Sequence, residues 1–220
     1  MSTPIDFKKK DKALYNPGVE PELIDVPELP FIQVDGCGNP NETDGAYAAA
    51  ISLLYSLSYT IRMNKAGDTV PAGYYDYVVP PLEGLWWFRD ESAYDPAKKD
   101  ELCWTAMIRQ PEFVTPHLFA WAQAQVRRKK PDLDPERARL VRWREGLCLQ
   151  AMHLGPYDTE PATVVRMAEK ATALGLHEEL ATIQPDGTRR RHHEIYLSDP
   201  GRVAPDKLKT IIRHPVARCI

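Results

Sequence analysis

The run His192-His193-Glu194-Ile195-Tyr196-Leu197 alternates along the chain with the period of a β-strand. Residues two apart share a strand face, so His192, Glu194 and Tyr196 point one way and His193, Ile195 and Leu197 the other. One face is apolar enough for a core. The other joins an imidazole, a carboxylate and a phenol, which suits the wall of a pocket. An antiparallel strand with one face in solvent also fits this run taken alone.

Working outward, the same order of elements occurs twice. Phe31 to Cys37 reads as a strand closed by Gly36-Cys37-Gly38-Asn39-Pro40, and Asn41 to Asp44 supply helix-cap chemistry. Ala46, Ala49, Ala50, Leu53, Leu54, Leu57 and Ile61 then recur at spacings of three and four, the apolar stripe of a helix. Glu83 to Phe88 and Leu102 to Arg109 read as two more strands. Thr115-Pro116 opens a helix that stops before Pro131, and Asp134-Pro135 starts a shorter one. The order then returns: strand Leu147 to Leu154, helix from Pro161 to a terminating Gly175, and strands His192 to Ser198 and Leu208 to His214. Three landmarks superpose in order: Ile32-Gln33-Val34 on Leu149-Gln150-Ala151, Gly38 on Gly155, and Ile108-Arg109-Gln110-Pro111 on Ile212-Arg213-His214-Pro215.

The expected fold is α+β, a duplicated strand-helix-strand-strand repeat with pseudo-twofold symmetry, helices on one sheet face and a ligand groove on the other. Proline-rich residues 1–30 form an extended arm. Residues 31–220 form a single domain, with repeat one at 31–112, connecting helices at 115–145 and repeat two at 146–216. Glu83 and Glu194 then occupy equivalent positions beside a central groove, each sharing its strand face with a ring, Trp87 and Tyr196. A strand-end surface acid is the alternative for Glu83.

Composition narrows the function classes. The 220 residues are 43% hydrophobic and 27% charged, ordinary for a globular chain, with a formal net charge of −3. That balance gives no general attraction to a phosphate backbone, so no direct nucleic-acid partner is expected. No segment reads as a signal or a membrane span. Cys37, Cys103, Cys148 and Cys219 lack CxxC spacing, and the first three sit in apolar or strand-like stretches as small hydrophobes, which suggests a cytoplasmic setting. His192 and His193 point to opposite faces, against both binding one metal. No nucleophile elbow, zinc motif or phosphate loop is present. Neither a metal nor a cofactor is expected, and the oligomeric state is not legible.

The run Gly146-Leu147-Cys148-Leu149-Gln150-Ala151-Met152-His153-Leu154-Gly155-Pro156-Tyr157, together with His192 to Pro200 and Lys207 to Pro215, resembles the GyrI-like small-molecule-binding family. More narrowly, Glu83-Gly84-Leu85-Trp86-Trp87, the Gly36 to Asn41 turn and an arm carrying Asp6-Phe7-Lys8-Lys9 and Leu14-Tyr15 are similar to its stand-alone branch, which includes cyclopropanoid cyclopropyl hydrolases. The resemblance implies a groove for a lipophilic, planar or cationic small molecule, with Glu194 facing the ligand. It also implies xenobiotic detoxification by water opening of the cyclopropane of DNA-alkylating compounds. The alternative is a non-catalytic multidrug-binding or sequestering protein, or a modulator of a partner such as DNA gyrase. In the hydrolytic reading Glu194 is the general base, Tyr157 or Tyr196 donates to the distant carbonyl, and Glu83 shares or polarises the water. Trp87, Trp104, Trp143 and Tyr196 are the expected aromatic ligand contacts, with Gln150 and His192 beside them.

Overall fold

In the computed structural model the described residues are 3–64, 70–91, 96–185 and 187–218. Two four-residue helices, α1 (Phe7–Lys10) and α2 (Lys12–Tyr15), precede strand β1 (Glu22–Cys37). Helix α3 (Ala46–Arg62) leads to β2 (Leu82–Phe88) and β3 (Leu102–Arg109), and α4 (Pro116–Lys129) leads to β4 (Ala138–Leu154). Helix α5 (Pro161–Ala173) is followed by β5 (Leu176–Glu178), β6 (His192–Tyr196) and β7 (Lys209–Arg218). Two caps read from sequence act as such: Thr115 Oγ1 accepts from the Leu118 amide at 3.2 Å, and Gly175, at φ +66°, ends α5, whereas α3 starts from Gly45 with no side-chain capping bond from Asn41 to Asp44.

The sheet runs β4-β1-β3-β2-β6-β7-β5, with every pairing antiparallel. Because β4 also pairs with β7, six strands close into a ring. Closure leaves those strands without the unpaired edges that invite aggregation. The two long strands serve two neighbours each: β1 pairs with β4 from Glu22 and with β3 from Phe31, while β4 turns to β7 at Cys148.

Along the run from the second half of β1 through β3, β2 and β6 to β7, register assigns side chains to one of two faces, since directly opposed residues share a face. Gly36 opposes Trp104, Trp104 opposes Trp86, and Trp86 opposes His192. This face carries the helices. The α3 stripe of Ala50, Leu53, Leu54, Leu57 and Ile61 is buried in one core with Ile32, Val34, Ala106 and Ile108. On the same face, Met167 and Ala171 of α5 pack with Leu149, Ala151 and Ile212. The opposite face is covered by the N-terminal arm, whose Phe7, Leu14 and Tyr15 are buried.

Several expectations from the sequence need correction. A groove opposite the helices does not fit the register: Glu194 opposes Gly84 and Ile212, which places it on the helix-bearing face. Glu83 opposes Ile195 and Met107, so the two acids lie on opposite faces and share no groove. Residues 1–30 are not one extended arm, because β1 begins at Glu22 and contains Pro27 and Pro30. A proline lacks only its N–H, and the Pro30 carbonyl still accepts from the Gln110 amide at 2.8 Å. The helix expected at Asp134-Pro135 is a three-residue 3-10 turn, and β4 starts at Ala138, paired to Val34. Cys37 and Cys103 are joined in a disulfide rather than standing as free thiols, because the β1–β3 register sets them directly opposite across a separation of 66 residues. Cys148 is a buried free thiol, while Cys219 lies outside the described residues. Among the described residues no helix is long and apolar enough to cross a membrane.

Candidate functional site

The β6 alternation sends Glu194 and Tyr196 toward the helices, where rings from three elements meet them. The Trp86 indole donates to the Tyr196 hydroxyl at 2.9 Å. Tyr157, on the turn before α5, meets the Tyr196 ring edge-on at 5.8 Å. Tyr47 of α3 contacts Trp86 and Trp104, each with centroids 5.0 Å apart. Two glycines make room for this wall. A Cβ on Gly36 would fall 2.3 Å from the Trp104 ring, and one on Gly84 would fall 2.7 Å from Trp86 Nε1 and 3.3 Å from the Tyr196 hydroxyl.

Beneath the rings lies a line of acids and imidazoles. His192 Nε2 is 3.1 Å from Glu194 Oε1, and its Nδ1 is 2.6 Å from His214 Nε2. His214 Nδ1 in turn meets Glu178 Oε1 at 2.6 Å. On the other side Glu194 faces Glu160, which sits at the N-cap position of α5 yet makes no capping hydrogen bond. Burial, reinforced by the neighbouring Glu194 carboxylate, pushes the Glu160 carboxyl up to about 10, so it holds a proton at neutral pH. Burial and the same two acids push the Tyr157 phenol up to about 12 and keep it a donor. Among the described residues, Trp104 Nε1 and Glu160 Oε1 are buried and find no hydrogen-bond partner.

Glu160, His192 and Glu194 offer three ligand atoms within 4.8 Å of one another. His192 Nε2 and Glu160 are both committed to Glu194, so the trio shares protons rather than presenting three free donors to a cation. A carboxylate paired with a protonated carboxyl, an imidazole and phenol donors can take a proton from one atom and supply one to another.

The sequence candidates divide between the two faces. Glu194, Tyr157, Tyr196, Trp104 and His192 come together on the helix-bearing face. Glu83, Trp87, Trp143 and Gln150 do not. Glu83 accepts from Tyr15 at 3.1 Å and meets His193 Nε2 at 3.0 Å, wholly buried. The Arg191 guanidinium covers Trp87, 4.5 Å from its centroid. Trp143 packs edge-on against Phe31 and His193, and Gln150 donates to the Ala13 carbonyl at 2.7 Å. Sequence reasoning did not single out Tyr47, Glu160, Glu178 and His214 for the site, nor Trp86 as a ligand contact. An acid just before Pro161 reads as a helix cap, and only the missing capping bond distinguishes it. His214 had a usable signal, since pairing the last two strands as neighbours brings it beside His192.

Rings and titratable groups thus gather around Glu194 on the helix-bearing face, and the family match makes the chain a small-molecule-binding domain. The chain belongs to the GyrI-like family, whose model, described as a GyrI-like small molecule binding domain, matches residues 19–217. Solved structures resemble it over nearly its whole length. One is an uncharacterized conserved protein from Listeria innocua, 46% identical, covering 97% of this chain and 100% of that one, TM-score 0.88. Two are described as hydrolases from the same organism, 45% and 46% identical, covering 97% and 98% of this chain and all of theirs, TM-scores 0.85 and 0.86. No curated protein matches the chain.

Proposed function

We propose that this protein binds lipophilic, planar polycyclic compounds in the cleft between α3 and the start of α5 and hydrolyses cyclopropanoid ones. The observation that carries the reading is Glu194, set among Trp86, Tyr47, Tyr157 and Tyr196 with His192 and a protonated Glu160 in reach. Ring faces remove a flat ligand's apolar area from water, and stacked pairs add roughly 0.5 to 1.5 kcal/mol each beyond that. Water attacks a cyclopropane carbon and Glu194 takes its proton. The C–C bond opens, its electron pair flows into the conjugated carbonyl, and a phenol such as Tyr157 protonates that oxygen. The products are an alcohol and a phenol, with no redox partner required. Relatives described as hydrolases support the reading at 45–46% identity.

A duplicated origin belongs to the same reading. Under the mapping of β1, β2 and β3 onto β4, β6 and β7, the β1–β3 and β2–β3 pairings match β4–β7 and β6–β7, and β1–β4 and β2–β6 pair counterparts with each other. A twofold axis through the ring has that consequence.

The test is incubation with excess of a spirocyclopropane dienone, followed by mass spectrometry. Turnover to a product heavier by one water is expected, and Glu194→Gln should lower kcat by about 100-fold or more. A reversible, stoichiometric complex without product would replace catalysis with binding alone, the coarser reading that the family's description by itself supports.

A further inference from the structure

Glu194 must dispose of each proton it takes, and the geometry behind it is more specific than a general base needs. Three contacts lie in series: Glu178 Oε1 to His214 Nδ1 at 2.6 Å, His214 Nε2 to His192 Nδ1 at 2.6 Å, and His192 Nε2 to Glu194 Oε1 at 3.1 Å. A carboxylate only accepts, and a neutral imidazole has one donor and one acceptor nitrogen. Glu178 therefore takes the proton of His214 Nδ1, which leaves Nε2 of that ring as an acceptor. His192 must then donate through Nδ1, and its Nε2 lone pair faces Glu194. That lone pair can take a proton from Glu194 once the carboxyl has gained one, and with Glu194 ionised the contact carries no proton.

We propose that Glu178 and His214 are positioning residues that fix the His192 tautomer, so that His192 Nε2 receives the proton Glu194 removes from water. This rests on the reading of Glu194 as a base. The step balances simply: the Glu194 O–H bond breaks, the His192 Nε2–H bond forms, and carboxylate and imidazolium result. The imidazolium keeps its Nδ1–H bond to His214 and releases the received proton to solvent, toward which the His192 side chain is 23% exposed. His214 suits the role because it is buried at 1% exposure, and burial, opposed in part by Glu178, lowers its pKa and keeps it neutral. The other titratable groups around the pair are Glu160 at the start of α5 and Glu145 of β4. Neither is hydrogen-bonded to a ring of the pair, so neither sets a tautomer.

Two measurements on the full chain test the assignment. Long-range proton–nitrogen NMR at neutral pH should find Nδ1–H on both His192 and His214, and Glu178→Gln, whose amide can donate to Nδ1, should disturb both rings. Nε2–H tautomers in the unsubstituted protein would overturn the proposal whether or not any substrate is turned over. With a spirocyclopropane dienone, Glu178→Gln should lower kcat by about 100-fold, the low end for positioned proton transfer, while leaving KM unchanged. Glu178→Asp should recover much of the rate. Full turnover by Glu178→Gln would overturn the role even with the expected tautomers. If the unsubstituted protein turns nothing over, the hydrolytic reading fails separately, and a tautomer pattern unaffected by Glu178→Gln would sink the orienting chain as well.

Discussion

Two neighbouring histidines of β6 enter different polar networks. His193, on the arm-covered face, bridges Glu83 at 3.0 Å and Glu145 at 3.0 Å, and Arg213 meets Glu145 at 3.0 Å. His192, on the helix-bearing face, joins His214 and Glu194, with Glu160 and Glu178 at the ends. In the first network two carboxylates face a guanidinium and an imidazolium, so fixed charges balance. In the second, three carboxyl groups face two imidazoles, and only protons can balance them. A network balanced by fixed charge holds structure together, whereas one balanced by protons is equipped to exchange them.

The largest expected effect lies on the arm-covered side. His193→Ala would leave Glu83 and Glu145 buried without their shared cation, a loss of about 3–5 kcal/mol. Glu194→Gln, which removes the proposed base, should change unfolding free energy by less than about 1 kcal/mol, because the Glu194 side chain is partly exposed. Denaturant unfolding of both variants measures the contrast, and equal losses would erase it.

The pH dependence of stability comes next. Burial alone would lower the His193 pKa, but the Glu145 and Glu83 carboxylates overcome it and raise it to about 9. A raised pKa means stability fully present below about 6.5, the unfolded histidine value, and lost as pH climbs toward 9. Burial would raise the Glu145 pKa, but His193 and Arg213 bring it down to about 2, so its contribution is present above about 4.5 and disappears as pH falls toward 2. These are two views of one interaction and do not add. Unfolding midpoints should therefore peak between about pH 4.5 and 6.5, and a midpoint still rising at pH 8 would contradict the charge-balanced reading of His193.

The same contrast explains what was legible in the sequence. Period-two alternation places Glu194 and Tyr196 on one face and His193 on the other without reference to anything else in the chain. Which face carries helices depends on register, and a one-residue slip reverses it. That is why Glu83, on a strand equivalent by repeat, was expected beside Glu194 and lies behind it. The repeat aligned Glu83 with Glu194 only by order of elements, whereas the register places Gly84 opposite Glu194. Trp86 and Trp87 pose the same problem: adjacency guarantees opposite faces but does not say which is which. The disulfide and Glu160 depend on contacts between distant segments, so local patterns say nothing of them.

Gly84→Ala sharpens the helix-bearing side at a smaller scale. Its methyl would intrude on Trp86 Nε1 and the Tyr196 hydroxyl, and both must shift. Overpacking of this kind costs about 1–3 kcal/mol, here among the rings of the proposed site rather than in the charged network. Affinity for a flat fluorescent ligand, measured by titration, should fall about tenfold for each 1.4 kcal/mol of that strain not already spent in the free protein. Unchanged affinity would show that Trp86 and Tyr196 do not wall the ligand site.

The smallest effect isolates why the two networks matter at all. Arg142 of β4 holds two carboxylates, Glu28 at 2.5 Å and Glu112 at 2.8 Å, yet all three side chains are more than half exposed. Arg213 contacts one carboxylate, Glu145, in full burial. A count of ion pairs ranks Arg142 first, and burial reverses the order, because water already solvates an exposed charge and salt screens its partners. Arg142→Ala should lower unfolding free energy by less than about 1 kcal/mol, less still at high salt, and leave ligand titrations untouched. Arg213→Ala should cost several times more and be nearly insensitive to salt, since its loss strands Glu145 among buried groups that cannot recruit an ion from solution.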